Sequence, residues 1–262
     1  DPPRLRHADL ARVLDPSAGP LIARACQAAQ RGDALEAHRA LSQHFATRAS
    51  RWPLKASSRE VLARDIRQAF PDAAREAARR ADRLLDGRHD LLGYRDVPLG
   101  NPPDWHADTI HHTRAPEVHW AAVPYLDPAY GDHKIIWETN RHQYWLVLGV
   151  AYWLSADPRY RETFVAHLDS WLRANPPLIG VNWASMLELA FRTLSWTWAI
   201  EFFAAGGESD DTPWLVDLLL SMDRQLTHIA QNLSQYFSPN THLTGEALAL
   251  YAVSVAFPEL RR

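Results

Sequence analysis

The sequence predicts an all-α protein built as an incomplete α/α toroid of helical hairpins. Apolar residues recur at helical spacing in segment after segment, and the segments are separated by short breaks rich in Pro, Gly and Asn. Some predicted helices, such as the one that contains 145–154, are apolar over most of their surface, which is typical of helices buried on more than one side. The sequence shows no series of β-strands and no exact repeat.

Composition places the chain among ordered globular proteins. Of its 262 residues, 47% are hydrophobic and 23% are charged, as expected for a chain that can bury a large core. The net charge of −3 provides no basic field for nucleic acid or an anionic membrane, and no apolar run is long enough to span a bilayer. We therefore expect neither nucleic acid nor membrane as a partner.

We predict three regions. Residues 1–86 form N-terminal helical hairpins, with helices over 19–31, 33–48, 58–68 and 71–86. Residues 87–135, which mix Pro and Gly with Trp and His, form an irregular aromatic-rich linker that lies over one face of the helices. Residues 136–262 form the toroid portion, with helices near 137–155, 158–174, 184–205, 213–236 and 242–256.

The segment 236–251, YFSPNTHLTGEALALY, carries the best catalytic candidates. Asn240 and His242 follow a proline and begin an apolar helix, where an Asn is also an ordinary N-cap. A neutral imidazole at the position of His242 can accept a proton. Glu246, four residues later on the same helical face, is placed to orient His242 or to bind Asn240.

Two further segments carry candidate substrate-binding residues. In GVNWASMLELAFRTLSWTW (180–198), Glu188 and Arg192 have the spacing of an ion pair on one helical face, and Asn182 and Trp183 precede that helix, where loop residues can line a cleft. In WETNRHQYW (137–145), Arg141 stands among aromatic residues. It is equally suited to be a stacked structural group or an anion clamp.

A group of histidines raises the question of a metal. His106, His111, His112 and His119 match no common zinc spacing, and no cysteine pair accompanies them. We predict no metal ligands in this chain.

The three segments in this order resemble the heparinase II/III family of polysaccharide lyases. The resemblance runs from WETNRHQYWLVLGVAYWLSADPRY through WLRANPPLIGVNWASMLELAFRTLSWTWA to SPNTHLTGEALALY, with PPDWHAD at 102–108 similar to the linker that precedes the toroid. It covers roughly 84–262, and it is weaker over 1–83. The combined pattern is fairly specific, although no single piece would be.

The resemblance implies an incomplete toroid followed by a C-terminal β-sandwich domain, and cleavage of uronic-acid-containing polysaccharide by β-elimination. By this resemblance, Asn240 neutralises the uronate carboxylate, His242 acts as base or second neutraliser, and Glu246 supports them. Arg141, Arg192, Asn182 and Trp183 are expected to serve as substrate-binding or scaffold residues.

The sequence departs from the family pattern in two ways. Many members have the Asn and His adjacent or as Asn-Asn-His, whereas Thr241 stands between them here, so either 240 or 241 is the position that faces the carboxylate. The catalytic Tyr of the family would lie beyond Arg262, as would the β-sandwich, which sometimes holds a metal. We therefore expect no cofactor in this portion and weak or no activity from it alone.

The resemblance further implies an anionic polysaccharide or oligosaccharide as substrate, either heparin-like glycosaminoglycan or alginate-like, and a periplasmic or secreted location. Two alternatives stay open. One is a non-catalytic saccharide-binding module that uses Asn240 and His242 only as caps. The other is a toroidal glycoside hydrolase, for which Glu138, Glu188 and Glu246 are the candidate carboxylates.

Overall fold

Helical hairpins form the N-terminal third of the protein. The computed structural model describes residues 6–236 and 239–261, and its first five α-helices are α1 (Leu10–Val13), α2 (Pro20–Gln30), α3 (Ala34–Thr47), α4 (Arg59–Ala69) and α5 (Pro71–Leu85). The four longer ones confirm the predicted helices to within one residue at each end. The Asp33 carboxylate accepts the Glu36 N–H at 3.0 Å and so caps α3, as the sequence indicates.

The segment 87–135 contains four short strands that the sequence analysis did not predict. They form two antiparallel hairpins, β1 (Arg88–Leu91) with β2 (Tyr94–Pro98) and β3 (Ala107–Asp108) with β4 (Thr113–Arg114). Leu92 and Gly93 both adopt positive φ, the conformation of a tight two-residue hairpin turn. Strands of two to five residues are too short to show an alternation in the sequence, and the protein keeps its all-α class.

Six α-helices make up the second half. They are α6 (His133–Asn140), α7 (Tyr144–Ser155), α8 (Pro158–Ala174), α9 (Met186–Phe203), α10 (Trp214–Gln231) and α11 (Thr241–Ala256). Helix α9 packs against α7, α10 and α11, and its position explains why it is apolar around most of its surface. Gly149 lets α7 approach α9 closely, because a Cβ there would lie 2.3 Å from the Phe202 ring.

The predicted helix 137–155 is wrong in one respect, because it breaks at 141–143. His142 has a φ of 57°, which interrupts the helix, and its ring stacks on Trp145 at 4.0 Å between centroids. The predicted helix 213–236 likewise ends early, at Gln231. At the first break, the His142 ring accepts the Trp196 indole N–H at 2.8 Å.

Large aromatic residues fill the space between the helices. Five tryptophans are at most 2% exposed: Trp105, Trp145, Trp171, Trp183 and Trp196. They belong to one core cluster that extends from Leu10 to Leu260 and so includes both the N-terminal hairpins and the later helices. These five rings stabilise the helix packing and do not line an open cleft.

A half-buried carboxylate ties the N-terminal hairpins to the second half. Asp210 accepts hydrogen bonds from His38 of α3 at 3.0 Å and from two nitrogens of Arg161 of α8 at 2.6 Å. Burial alone would raise the pKa of Asp210, but these partners outweigh burial and hold it well below its usual range. None of the described helices has the length and hydropathy needed to cross a bilayer.

Candidate functional site

The start of α11 presents Asn240 and His242 at the protein surface. Asn240 is exposed, and its Oδ1 accepts the Thr241 N–H at 2.6 Å, so the predicted capping role is present. His242 is half-buried in the first turn, and its ring makes no hydrogen bond to any described residue. Phe237 and Ser238 of the same segment lie outside the described residues.

Glu246 serves a different purpose from the one expected. Its carboxylate is fully buried and accepts hydrogen bonds from the Ser234 backbone N–H at 2.8 Å and from the Ser234 hydroxyl at 2.6 Å. It therefore fixes the loop that leads from α10 into α11. The expected bonds from Glu246 to His242 or Asn240 are not formed, because the buried face of α11 turns this carboxylate toward the loop.

A close contact holds the start of α11 against the start of α9. A Cβ at Gly245 would lie 2.6 Å from Leu187 Cδ1, so only a glycine permits this spacing without displacing the leucine. Leu187 precedes Glu188 in the first turn of α9. The two helix starts, and the candidate residues on them, therefore share one end of the molecule.

Arg141 joins the end of α6 to α9 through its guanidinium. It donates to both oxygens of Glu188 at 2.6 and 2.9 Å, donates to Glu138 at 2.6 Å, and lies 4.7 Å from the Phe191 ring centroid. The expected ion pair between Glu188 and Arg192 is thus wrong, because Arg141 occupies both oxygens of Glu188. Arg141 is stacked and ion-paired here, and 24% of its side chain is still exposed.

Arg192 is enclosed in the core. It donates to Gln225 at 2.7 Å, to the Asn182 carbonyl at 2.7 Å and to the Asn140 carbonyl at 3.3 Å, with its guanidinium 4.7 Å from the Trp171 centroid. Burial lowers the pKa of Arg192 to about 9, so the side chain still carries its charge at neutral pH. Its contacts connect α9 to α10 and to the loop before α9.

Asn182 and Trp183 are fully buried beside it. Asn182 donates its amide to the Trp105 carbonyl at 3.0 Å and to Asn175 Oδ1 at 2.8 Å. Substrate contacts by Asn182, Trp183 or Arg192 do not agree with this burial, because each side chain is enclosed by protein. The loop position that favoured them in the sequence faces inward.

The sequence analysis missed a group of rings beside the candidate site. His228, near the end of α10, lies 4.8 Å from the Trp120 ring between centroids, and its Nε2 is 3.2 Å from the Trp183 carbonyl. Burial, aided by the nearby His119, lowers the pKa of His228 despite its bond to that carbonyl. Its i,i+4 spacing from Asn232 in HIAQN was the only available signal, and it resembles any polar pair at a helix end.

The histidines considered for a metal are engaged separately or exposed. His106 Nε2 is 3.0 Å from the Ala174 carbonyl and His111 Nδ1 is 2.7 Å from Asp108, while His112 and His119 are exposed. In the part of the chain that the structure describes, no three His, Cys, Asp or Glu side chains are grouped to hold a metal ion.

Fold and site together define a class of protein. Helices packed around α9, with a surface Asn and His where α11 begins, form the incomplete α/α toroid expected from the sequence. The chain belongs to the heparinase II/III family, since the family model described as the heparinase II/III N-terminus matches residues 14–262.

Solved structures share this fold. The heparan sulfate lyase HepC from Pedobacter heparinus is 18% identical with a TM-score of 0.64, and the match covers 97% of this chain and 36% of HepC. A heparinase III gene product is 20% identical with a TM-score of 0.70, over 98% of this chain and 38% of that protein. This chain therefore spans little more than a third of their length. No curated protein sequence matched it.

Proposed function

We propose that the protein is the toroid part of a polysaccharide lyase that cleaves uronic-acid-containing polysaccharide, either heparin-like or alginate-like, by β-elimination. The membership of residues 14–262 in the heparinase II/III family carries this proposal. The exposed Asn240 and the half-buried His242 at the start of α11 supply groups suited to the chemistry. We also propose a periplasmic or secreted location, testable by fractionation of the source cells.

In the proposed reaction, a base removes the proton from C5 of the uronate. The electron pair forms the C4–C5 double bond, the bond from C4 to the glycosidic oxygen breaks, and the leaving oxygen takes a proton. Negative charge grows on the carboxylate as C5 loses its proton, so a donor placed there lowers the barrier. Asn240 supplies an amide for that charge, and His242 supplies an imidazole as base or second neutraliser.

The position of Asn240 supports this role. The amino end of α11 carries the positive end of the helix dipole and backbone N–H groups, both of which favour an anionic group. The Asn240 amide has one acceptor, which Thr241 uses, and one donor end. The proposed role uses the two ends of the amide separately, the oxygen for the Thr241 N–H and the NH2 group for the uronate carboxylate.

The carboxylates considered for a glycoside hydrolase do not favour that reaction. Glu138 and Glu188 both accept from Arg141, and Glu246 accepts from Ser234. A hydrolase needs one carboxyl group to give up a proton and another to activate water or attack the sugar.

The resemblance places the proton-donating Tyr beyond Arg262, so we expect residues 1–262 alone to have weak or no activity.

The test is ultraviolet absorbance of the unsaturated uronate product while the longest available gene product acts on a panel of uronate polysaccharides. We expect Asn240→Ala and His242→Ala to lower turnover about 100- to 1,000-fold, as for loss of one oxyanion donor. Asn240→Ser is the matched variant, because serine can cap α11 but has no amide. Ser254→Ala, whose hydroxyl donates to the Tyr251 carbonyl farther along α11, is the control.

The two variants of Asn240 separate helix capping from the proposed neutralisation of the carboxylate. Loss of activity in both the serine and the alanine variant supports carboxylate neutralisation by the amide. Full activity of Asn240→Ser would mean that Asn240 serves only as a helix cap. If no polymer yields unsaturated product while polymer binding survives Asn240→Ala, the protein is a saccharide-binding module instead.

A further inference from the structure

A basic pocket lies apart from the start of α11. It is a cavity of about 250 Å³ between the end of α5, strand β1 and the junction of α6 with α7, and its rim carries Arg80, Arg83 and Arg88. We propose that this pocket binds an oxyanion of an acidic saccharide, either a sulfo group or a carboxylate, away from the bond that is cleaved. This inference rests on the proposed function, whose substrate it makes more specific.

The three arginines differ in what already binds them. Arg83 donates to both oxygens of Asp90 at 2.7 and 3.1 Å and to Asp96 at 3.1 Å, so it is largely neutralised. Arg88 is 46% exposed and reaches only Asp96, through a carboxylate contact of 3.5 Å and a carbonyl contact of 3.3 Å. Arg80 is exposed and makes no ion pair with any described residue. Arg80 and Arg88 are therefore the cations that can serve a ligand.

Two acidic residues also line the pocket, and both already accept hydrogen bonds from arginine side chains. Asp90 accepts from Arg83 and from Arg95, which hold the pKa of its carboxyl well below the usual range, so it stays charged and paired. Glu138 accepts from Arg141 at 2.6 Å. With these charges compensated, the excess charge of the pocket is positive.

The wall of the pocket contains a buried polar group without a partner. His89 is 5% exposed, and its Nε2 makes no hydrogen bond within the described residues. Burial, together with the charge of Arg83, lowers the pKa of His89 to about 4, so the ring is neutral at physiological pH and has one N–H to donate. The pocket wall is therefore uncharged at His89, and the cations available to a ligand are those on the rim.

Ring packing fixes His89 in place. It meets the Tyr144 ring edge to face at 4.9 Å, and the Tyr144 hydroxyl bonds His167 at 2.8 Å. His167 in turn contacts Asn101 Oδ1 at 2.6 Å. These contacts hold the wall in place, whereas Arg80 and Arg88 on the rim are long and exposed, so a fixed wall is combined with adaptable cations.

A line of contacts joins the pocket to the candidate catalytic residues. Glu138 lines the pocket and bonds Arg141, which bonds Glu188 in the first turn of α9. The neighbouring Leu187 packs against Gly245, one turn into α11. A polymer that crosses this end of the toroid could therefore place one uronate at Asn240 and a more distant acidic group in the pocket.

The test is calorimetric binding of inorganic sulfate and of two uronate oligosaccharides of equal length, one sulfated and one not. The protein carries Asn240→Ala throughout, so that no cleavage disturbs the titration. Arg80→Ala, Arg88→Ala and the double variant are compared with Arg79→Ala, whose guanidinium is next in α5 but pairs with Glu76 outside the pocket. We expect the double variant to weaken sulfated oligosaccharide binding about tenfold or more.

Each outcome decides a point. If the double variant binds only the sulfated oligosaccharide more weakly, the bound oxyanion is a sulfo group. If it binds both oligosaccharides more weakly by the same factor, the bound oxyanion is a carboxylate. If the double variant binds every ligand as tightly as Arg79→Ala does, the proposed role of the pocket in binding is wrong, even if lyase activity is demonstrated. Weakened binding in a protein that cleaves no polymer would retain the pocket and reject the lyase.

Discussion

The cluster around Arg192 and the start of α11 both carry polar groups on apolar helices, but the first lies in the core and the second at the surface. Arg192, Asn182 and Gln225 are fully enclosed, and the Arg192 cluster that they form is tied together by hydrogen bonds. Asn240 and His242 lie at the surface, with a cap and a half-buried ring. The resemblance to the family includes both regions, yet only the second has chemistry that a polymer can reach.

The two regions illustrate two reasons why a sequence motif is recognisable, namely assembly of the fold and function. The residues of 180–198 hold α9 to α10 and to the preceding loop, so their pattern reports how the fold is assembled. The residues at 240–242 are exposed or half-buried at a helix start, and for them we propose a functional reason instead. Stability measurements test this difference, because we expect them to respond strongly to changes in the first region and weakly to changes in the second.

The largest effect on stability is expected for Arg192→Met. The substitution keeps much of the volume but leaves the Gln225 and Asn182 oxygens without their buried donor, which costs about 3–5 kcal/mol of the free energy of unfolding. Urea denaturation measures it, with the exposed Arg64→Met on α4 as control. A loss below about 1 kcal/mol would show that the cluster does not hold the fold.

An intermediate effect is expected for Glu246→Ala. It removes the acceptor for the Ser234 N–H and hydroxyl, at a cost of about 2 kcal/mol in the free energy of unfolding. Hydrogen exchange at the Ser234 amide should become faster, whereas Glu246→Gln, which keeps one acceptor oxygen, should lie between the alanine variant and the wild type. Unchanged exchange in both variants would contradict the anchoring of this loop by Glu246.

The smallest effect on stability is expected for Asn240→Ala. It removes one cap at the exposed end of a helix, which is worth about 1 kcal/mol. Thermal unfolding with Asn240→Ser alongside measures the capping share, since serine restores it. Destabilisation as large as that of Arg192→Met would mean that Asn240 is a structural residue and would remove the contrast between the two regions.

Much of the fold could be predicted from sequence because local rules and packing agree. Asp33 and Asp157 cap the helices that follow them, and Pro158 begins α8 where its missing N–H has no consequence. The break at 141–143 could not be predicted, since the left-handed conformation of His142 depends on rings that are brought together only by tertiary structure.

The candidate site was predictable only in part. Asn240 and His242 came from the resemblance, and their surface position agrees with it. The partner of Glu188 lies 47 residues away in Arg141, and nothing in the sequence favoured that partner over Arg192, one helical turn along. Side chains such as His228 have contacts made by three separate segments, which a single sequence does not connect.

The contact between Gly245 and Leu187 also sets a rule for redesigning this protein. A Cβ at 245 would lie 2.6 Å from Leu187 Cδ1, so a larger residue there requires the half-buried Leu187 side chain to move. Residues 240–242 lie one turn before this contact, so they can be exchanged for those of a related protein while Gly245 and Leu187 are kept. A larger residue at 245 would change the packing beside the exchanged residues, so this pair is best left unchanged.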